Sequence, residues 1–455
     1  MREVVHEVAD RLDEPGQGEL GAPTGTQLVS FFVIPPSMVR NEGALRLAIV
    51  VQRYGDEVNG GAEHLARTNA EHLALDPRVA SVTVLTTCAR DHLTWAPHYA
   101  PGETASRGVT VERFANARRL PMLGLSGAVK SGLLPLAEPS WFVAQGPFSF
   151  GLLRRLRASS RTHEFDAYLF YTYLYATTVF GLPFVANRSV LVPTAHDEPA
   201  IHMQTFRALF RLPRAFGYLT PEEERFLHAR FKTDRKPGRV IGTGIDLQDL
   251  VPEKPKGLPT GPYVTYVGRV ESGKGCGRLF AYFEAFRRAH GDSLFTSRHG
   301  ATYRGRELKL AIVGRVTDVA IPADPAYVHL GFLSEAEKAG VLGGAEALFM
   351  PSFFESLSLV LLEAWALGCP ALVDSRCEIT RGQTLRSGAG KLFDDGPSFA
   401  VSLAELLRSP DEARKHAEAG RAFIAEGYSW ARWTDAMLGL VASACDDTDR
   451  AAPKP

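Results

Sequence analysis

Length, charge and cysteine content limit what this chain can be. Its 455 residues are enough for two domains with separate cores. The 51 basic and 51 acidic residues cancel to a formal net charge of zero, which argues against nucleic acid as a partner. The five cysteines show no CxxC pairing, so we expect reduced thiols and neither a disulfide framework nor a zinc site. No stretch approaches the ~20 apolar residues of a membrane span, and we therefore expect a soluble, cytoplasmic protein.

The two ends of the chain are predicted to lie outside the folded domains. Residues 1–44 mix acids, glycine and proline with little periodicity, which is typical of a partly disordered extension. Residues 445–455 are mostly polar and are predicted to form a flexible tail. The folded part is therefore expected to begin at residue 45.

The first predicted domain, residues 45–245, opens with a strand, a loop that contains glycines, and a helix. Residues 45–51 are an apolar run typical of a strand that is buried on both faces. Gly60 and Gly61 then open a helix, so a helix N-terminus can face a phosphate or a sugar. A tight turn that needs glycine for steric reasons is the alternative explanation, and the pair alone does not decide between them.

The rest of the first domain continues the alternation of strands and helices. A polar, aromatic segment at residues 91–99 is predicted to be a surface loop, and residues 200–210 are predicted to be a helix. His196 follows the predicted strand 189–193, at the carboxyl end where open α/β sheets place residues that contact ligands. A solvated loop histidine is the alternative, and position alone favours neither.

The second predicted domain, residues 246–428, carries two cations near its start. Arg269 and Lys274 flank a loop with glycines after the first buried strand. Arginine brings a planar fork of donors and lysine a point charge, which are the two usual ways to hold a phosphate. Two solvated loop cations are the alternative, which is disfavoured because the same domain contains a second element suited to anions.

That second element is the stretch 350–368. This stretch follows a buried strand and begins an amphipathic helix, for which Ser356 and Ser358 are both candidate N-caps. The first helical turn offers unpaired N–H groups and the positive end of the helix dipole, which together form an anion site. An acid just before such a site, Glu355, indicates a ligand with hydroxyls as well as a phosphate. A sugar nucleotide has both.

A second acid, Glu363, lies inside the same predicted helix. Two solvated glutamates are the alternative explanation for Glu355 and Glu363. The neighbours of Glu363 at residues 359–365 are nearly all apolar, and an acid on a mostly buried helix needs a partner or a polar ligand. We therefore favour a role in ligand binding for this acid.

Together these elements predict an α/β fold with two Rossmann-like domains and a cleft between them. Each domain is expected to be an open, mostly parallel sheet whose loops face the shared cleft. Three helical segments end the chain, near residues 398–408, 411–426 and 430–443, and Ser429 is the predicted cap of the last.

The chain resembles the retaining glycosyltransferases of the GT-B architecture, and glycosyltransferase family 4 (group 1) in particular. The resemblance covers roughly residues 45–440. Its specific elements are residues 267–275, with the sequence VGRVESGKG, and residues 351–355 followed by Glu363. It implies the GT-B arrangement of the two domains and a C-terminal helix at residues 429–444 that packs back on the first domain.

The resemblance also implies roles for individual positions. Arg269 and Lys274 would grip the donor diphosphate, and Glu363 would bind the ribose hydroxyls. Glu355 would contact hydroxyls of the transferred sugar, and His196 would lie near the reacting sugar. The other donor contacts that it implies are backbone approach at Gly60 and Gly61, backbone groups around Leu357 and Ser358, and a pocket for the base near Arg315 and Phe332.

The implied activity is transfer of a hexose, with retention, from a UDP- or GDP-sugar to a hydroxyl of a glycan, a lipid-linked acceptor or a small molecule. Loops 91–106 and 115–148 would bind and recognise the acceptor. No metal or other cofactor is expected, because Arg269, Lys274 and a helix N-terminus would stabilise the leaving group. No nucleic acid is expected as a partner, while peripheral membrane contact and the oligomeric state stay open. A sugar-nucleotide epimerase of the same architecture and a non-catalytic sugar-nucleotide-binding protein are the alternatives.

Overall fold

The computed structural model describes residues 44–58, 60–120, 126–245 and 251–445. The predicted extension up to residue 43, the domain boundary at residue 246 and the tail from residue 446 lie outside the described residues. The predicted fold class is confirmed, because the described chain forms two Rossmann-like α/β domains with largely parallel sheets.

The first domain is built around an eight-stranded sheet. Its strands are β1 (Leu45–Val50), β2 (Val79–Thr87), β3 (Gly102–Ser106), β4 (Val109–Phe114), β5 (Ala167–Tyr171), β6 (Ser189–Val192), β7 (Ala215–Tyr218) and β8 (Gly238–Val240). Its helices are α1 (Gly61–Leu75), α2 (Ser126–Lys130), α3 (Glu138–Gln145), α4 (Phe150–Thr162), α5 (Ala176–Gly181), α6 (Gln204–Leu209) and α7 (Pro221–Phe231). The strand order is β3-β4-β2-β1-β5-β6-β7-β8, and every neighbouring pair is parallel except β3 with β4.

The second domain is built around a six-stranded parallel sheet. The strands of this domain are β9 (Tyr263–Val267), β10 (Leu294–Thr296), β11 (Thr302–Arg304), β12 (Lys309–Val313), β13 (Tyr327–Gly331), β14 (Leu348–Met350), β15 (Ala371–Asp374) and β16 (Gly390–Phe393), of which all but β10 and β11 belong to the sheet. Its helices, with those that end the chain, are α8 (Cys276–His290), α9 (Glu335–Gly344), α10 (Leu359–Ala366), α11 (Glu378–Ser387), α12 (Gly396–Arg408), α13 (Pro410–Gly427) and α14 (Trp430–Cys445). The strand order is β13-β12-β9-β14-β15-β16, while β10 and β11 pair as a separate antiparallel hairpin.

In each sheet the first strand lies inside and the chain winds outward on both sides of it. In the second domain β9 has β12 on one side and β14 on the other. The chain therefore continues toward opposite sides of the sheet after β9 and after β14, and the crevice in which such sheets bind ligands is expected at the carboxyl ends of these two strands. Residues 268–275 and 351–358 form the loops that follow them. The matching crevice of the first domain lies between β1 and β5.

Both sheets are covered on their two faces, which explains the apolar runs in the sequence. Residues 47–50 in β1 and 310–312 in β12 have no exposed surface, as is typical of central parallel strands. Ser334 and Glu337 form the predicted capping box at the start of α9. Among the described helices, we find none that is both long and apolar enough to span a bilayer.

The last helix returns to the first domain, as the resemblance implies. Helix α14 packs against β5, β6 and β7. Its Asp435 pairs with Arg78 of the first domain at 2.8 Å. Trp430, the first residue of α14, stacks on His72 of α1 with ring centroids 3.5 Å apart. The end of the chain therefore ties the two domains together.

The predicted helix over residues 200–210 is wrong as a single element. The structure has a 3₁₀ turn at Pro199–His202 and then the short helix α6. Between them the backbone of Met203 is extended, with φ −62° and ψ 147°, which interrupts the helical hydrogen bonds.

The prediction of a surface loop at residues 91–99 is also wrong in part. Trp95, within this segment, is buried, and its indole N–H donates to the carbonyl oxygen of Gln145 at 2.5 Å. Its ring meets Tyr175 edge to face at 5.4 Å. An aromatic residue in a polar segment was the available signal, because a tryptophan surrounded by polar residues often anchors a loop in the core.

Candidate functional site

Glycines shape the loop between β9 and α8. Gly268 (φ +152°) and Gly275 (φ +77°) have backbone conformations that favour glycine. A Cβ on Gly275 would collide with the carbonyl oxygen of Pro351, so only glycine lets this loop lie against the segment that follows β14. The two cations of the loop, Arg269 and Lys274, are thereby brought to the edge of the sheet where the acids of that segment lie.

Lys274 and Glu355 form an ion pair across the two loops. Nζ of Lys274 lies 2.7 Å from Oε1 of Glu355. The side chains are 26% and 16% exposed, so a ligand can reach both. A phosphate would compete with Glu355 for the ammonium group, because phosphate oxygens accept charge-assisted hydrogen bonds from lysine.

Two arginines fix the segment that presents Glu355. The guanidinium carbons of Arg278 and Arg376 lie 3.7 and 4.6 Å from the centre of the Phe353 ring. Both arginines also bind the carboxylate of Asp374, which is fully buried at the end of β15. Since one buried acid holds both cations, the ring over which they lie is fixed, and so is the turn that carries Glu355.

Arg269 reaches the first domain. Its Nη1 lies 3.1 Å from Oε2 of Glu271 and 3.3 Å from Nε2 of His92 across the cleft. Burial and the positive charge of Arg269 lower the pKa of His92, so this imidazole can accept a hydrogen bond from the guanidinium. The Arg269 side chain is 47% exposed and keeps donors free for a ligand.

Helix α10 begins at the same edge. Ser358 accepts a hydrogen bond from the N–H of Leu361 at 3.4 Å, so the N-cap is Ser358 and not Ser356. The side chains of Leu357 and Ser358 are buried. Any contact between these two residues and a ligand would therefore come from their backbone groups.

Glu363, in the second turn of α10, faces a lysine. Nζ of Lys338 lies 2.9 Å from Oε2 of Glu363 and 2.6 Å from Oε2 of Glu335. Burial lowers the pKa of Lys338, but the two carboxylates outweigh burial and raise it above its usual value. The buried acid thus has the polar partner that its apolar neighbours require, and this partner was not found from the sequence.

The loops after β12 and β13 extend this edge of the second domain. The N–H of Gly314 donates to the carbonyl oxygen of Gly331 at 2.7 Å, and a Cβ on Gly314 would collide with the carbonyl oxygen of Gly268. Arg315 and Phe332 follow these glycines, and both are exposed, Phe332 at 72%. An exposed ring and an exposed guanidinium beside the cleft suit a flat aromatic group.

Gly60 and Gly61 stand at the start of α1 in the first domain. A Cβ on Gly60 would collide with the carboxylate of Glu63, whereas the space around Gly61 is open. Glu63 is itself buried in an ion pair with Arg53. The glycine at position 60 is therefore needed for packing, and the open surface lies at position 61.

His64 places the first turn of α1 opposite α10. Burial lowers the pKa of His64, while the carboxylates of Glu363 and Glu335 act in the opposite direction from the second domain. Arg67 lies 3.4 Å from its Nδ1. The glycine loop and the acid of α10 are thus on facing sides of the cleft.

His196 lies on the first-domain side, beyond the end of β6. Its ring centroid is 5.7 Å from that of Phe354, so the two domains meet at this point. Its Nε2 is 3.9 Å from Oε1 of Glu198, which accepts a hydrogen bond from the hydroxyl of Tyr173 at 2.6 Å. Burial lowers the pKa of His196, which favours the neutral imidazole.

The residues predicted from the sequence lie in loops after strands or in the helices that follow those loops, and their common role in binding a ligand stays a prediction. The second domain contributes Arg269, Lys274, Arg315, Phe332, Glu355, Leu357, Ser358 and Glu363, and the first contributes Gly60, Gly61 and His196. Sequence reasoning missed Lys338, His92 and Glu198, and only Glu198, two residues after His196, carried a signal. Within the described ranges, no three His, Cys, Asp or Glu side chains gather as they would around a metal ion, and the absence of a metal stays a prediction.

Comparison with known proteins supports a transferase-like second domain. Residues 294–439 match a family model described as glycosyl transferase-like. Glycogen synthase of Mycobacterium tuberculosis is 30% identical over 199 residues, which are 42% of this chain and 45% of that protein. D-inositol 3-phosphate glycosyltransferase of Arthrobacter sp. is 27% identical over 238 residues, 50% of this chain and 55% of that protein. The chain spans about half the length of these curated relatives.

A solved structure shares the whole fold. Sucrose-phosphate synthase from Thermosynechococcus elongatus superimposes with a TM-score of 0.60 at 16% identity, covering 87% of this chain and 98% of that chain. At this identity the similarity shows the fold alone, which is the GT-B arrangement of two Rossmann-like domains. The roles of individual residues, membership of family 4 and retention stay predictions.

Proposed function

We propose that this chain is a retaining glycosyltransferase that moves a hexose from a UDP- or GDP-sugar to an acceptor hydroxyl. The observation that carries the proposal is the pairing of Lys274 with Glu355 at the crevice between β9 and β14. It joins a phosphate-binding cation and a hydroxyl-binding acid at the place where open α/β sheets bind nucleotides.

The donor is proposed to lie along the edge of the second domain. Its diphosphate meets Arg269, Lys274 and the N-terminus of α10, and its ribose meets Glu363. The base lies against the exposed Phe332 and its neighbour Arg315. Partial exposure of the cations supports this pose, because a ligand reaches them without unfolding a loop.

Donor binding would break the ion pair between Lys274 and Glu355. Glu355 now neutralises Lys274 at 2.7 Å. When the diphosphate becomes the partner of Lys274, Glu355 is released to accept hydrogen bonds from the sugar hydroxyls. A single binding event then holds the leaving group and the transferred sugar at the same time.

The chemistry follows from where charge develops. As the bond between C1 of the sugar and the phosphate oxygen breaks, negative charge builds on the diphosphate, and Arg269, Lys274 and the α10 dipole stabilise it. These groups take the place of a divalent metal. The acceptor hydroxyl attacks C1 from the face that the diphosphate leaves and passes its proton to the departing phosphate oxygen, so the anomeric configuration is retained. His196 contacts the sugar from the first domain.

The acceptor is proposed to bind the first domain, at segments 91–106 and 115–148, which were predicted as loops but include β3, α2 and α3. The chemistry of the cleft fits a hydroxyl on a glycan, a lipid-linked acceptor or a small molecule. We propose a cytoplasmic location, where nucleotide sugars are made and where the buried free thiols Cys88, Cys276, Cys369 and Cys377 stay reduced. For a lipid-linked acceptor, a peripheral contact with the membrane would bring the substrate to the enzyme.

One observation favours a sugar-nucleotide epimerase as the second candidate. His196 and Glu198 lie 3.9 Å apart in the first domain and could move a proton at the sugar. Epimerisation needs no acceptor, whereas transfer does.

The experiment incubates the purified chain with UDP- and GDP-hexoses, with and without a panel of glycan, lipid and sugar acceptors. Nucleoside diphosphate released only with an acceptor supports the transferase, and NMR of the new glycosidic bond then tests retention. A new isomer of the donor without acceptor would identify an epimerase. Donor-specific stabilisation in a thermal-shift assay without turnover would leave a binding protein.

A further inference from the structure

A buried acid in the first domain has no cation to neutralise it. Glu223, the third residue of α7, has no exposed surface. Its Oε1 accepts the N–H of Ala195 at 2.5 Å and its Oε2 accepts the N–H of Leu219 at 2.5 Å. Within the described part of the chain it forms no ion pair. Among those residues, the two backbone N–H groups are the only hydrogen-bond partners of its carboxylate.

These two hydrogen bonds connect the loop after β6 with the loop after β7. The ladder between β6 and β7 pairs only Val190 with Ala215 and Leu191 with Phe216. Ala195 and Leu219 lie past the carboxyl ends of these two strands. Glu223 connects the two loops where the backbone ladder no longer does.

The local sequence predicts a different use for this acid. Thr220 is the N-cap of α7, and an acid three residues later is the pattern of a capping box. In a capping box the acid would turn back to the N–H of Thr220. Glu223 instead binds the residue before the cap and reaches across to the loop after β6, so its role extends beyond the helix start.

The loop that it holds carries His196. Thr194, just before Ala195, has φ +52°, which is a costly conformation for a β-branched residue and needs support from its surroundings. The Nδ1 of His196 is buried and has no hydrogen-bond partner among the described residues. The backbone and ring packing, not a hydrogen bond, therefore set the position of this imidazole.

We propose that Glu223 is the positioning residue for His196: by binding the Ala195 N–H it fixes the loop after β6 and so sets where the imidazole meets the donor sugar. The effect on turnover rests on the proposed function, whereas the effect on the position of His196 does not. Glu223 touches neither the donor nor the acceptor.

The test compares Glu223→Gln, His196→Ala and the double variant, with Glu224→Gln as the matched control. Glutamine keeps one acceptor oxygen but turns an N–H group toward the second backbone N–H, so one of the two bonds is lost. Misplacement of a contact group can cost up to about 10²-fold in rate, and we expect kcat of Glu223→Gln to fall by about 10- to 100-fold. KM for the donor and the Kd for the nucleoside diphosphate should stay within about twofold, because the second domain binds them.

The double variant separates positioning from general damage. If Glu223 acts through His196, adding Glu223→Gln to His196→Ala should lower kcat no further. Multiplying losses would overturn the proposal. Glu224→Gln should keep the wild-type kcat.

NMR titration of the histidines provides a readout that does not need turnover. In Glu223→Gln the pKa of His196 should rise toward its usual value as the ring leaves its buried position. Burial is the main cause of the lowered pKa of His196, so a rise in that pKa identifies a ring that has left its buried position. An unchanged His196 signal in soluble Glu223→Gln overturns the proposal. If the glutamine variant does not fold, Glu223→Asp, which also loses one bond, is tested by the same signal. A moved signal in a protein without transferase activity would uphold the positioning and refute the proposed function.

Discussion

The two domains use their charged side chains differently at the cleft. In the second domain the Arg269 side chain is 47% exposed, and the paired side chains of Lys274 and Glu355 are partly exposed. At the matching place in the first domain, Arg53 and Glu63 are each 5% exposed and pair with each other. The charges of the loop between β9 and α8 are thus partly accessible to a ligand, whereas Arg53 and Glu63 hold the loop after β1 against α1.

We infer from this contrast that the second domain binds the donor and that the first domain positions it. In the proposed function a charged donor would be bound by the domain whose charged side chains remain accessible. The first domain would then contribute close approach at Gly61 and the ring of His196. We expect substitutions in the second domain to change binding and leaving-group chemistry, and substitutions in the first to change geometry alone.

The largest effect is expected for the cations of the β9 loop. Lys274→Ala should lower kcat about 10²–10³-fold, the scale for the loss of one preorganised group that stabilises developing charge. Arg269→Ala should do at least as much, because a planar fork of donors is lost. Both variants should keep the native circular dichroism spectrum, since exposed loop cations contribute little to folding.

The control for these variants is Lys391→Ala. Lys391 lies in β16 at the far edge of the same sheet and pairs with Glu405 at 2.7 Å, so its loss should leave kcat unchanged. Activity of the wild type should persist in excess chelator. Full loss in chelator, restored by Mg²⁺ or Mn²⁺, would contradict the proposed role of Arg269 and Lys274.

The next effect concerns binding of the nucleotide. Glu363→Ala should weaken UDP or GDP about tenfold or more, because a hydrogen bond to a charged group contributes roughly 1.5–3 kcal/mol. Lys338 keeps Glu335 at 2.6 Å as a partner, so no isolated charge is left buried and the fold should survive. Calorimetry with the ribose and 2′-deoxyribose nucleotides sharpens the test. The wild type should discriminate between them and the variant should not, and equal affinities in the wild type would remove Glu363 from the ribose site.

The Glu355→Gln variant should distinguish contacts to the transferred sugar from contacts to the nucleotide. We expect kcat with the sugar donor to fall about tenfold, as for the loss of one charged hydrogen bond, while the Kd of the nucleoside diphosphate stays the same or improves slightly. The improvement would arise because Lys274 no longer has a carboxylate that competes with phosphate. A parallel loss of sugar turnover and diphosphate affinity would show that Glu355 binds the nucleotide and not the sugar.

The contrast between the domains also explains what the sequence could predict. The proposed donor site is built from short loops that follow buried strands and from the start of α10, so Arg269, Lys274, Glu355 and Glu363 stand in recognisable local patterns. The apolar runs predicted both sheets, and the caps at Ser334 and Ser429 predicted helix starts that the structure confirms.

What the sequence could not predict depends on contacts between distant residues. Lys338 lies on α9 and meets Glu363 on α10 only because both helices pack against the same sheet. Trp95 is buried in a segment of polar composition through its bond to Gln145. Glu223 stands in a capping pattern, yet its carboxylate binds Ala195, a partner that no local spacing reveals.

The smallest effect concerns stability and pH, and it tests whether Glu223 is as isolated as its surroundings indicate. Burial raises the pKa of Glu223 from 4.5 to about 8, although the N–H groups of Leu219 and Ala195 act to lower it. Between these values the folded chain keeps a proton that the unfolded chain releases. The contribution to stability is therefore complete below pH 4.5 and is lost as the pH rises to about 8. Urea unfolding of the wild type and of Glu223→Gln at pH 5 to 8 should show the wild type losing its advantage with a slope of up to about 1.4 kcal/mol per pH unit. A difference that does not vary with pH would mean that the two backbone bonds keep the carboxyl ionised, and that the first domain stabilises a buried charge without any cation.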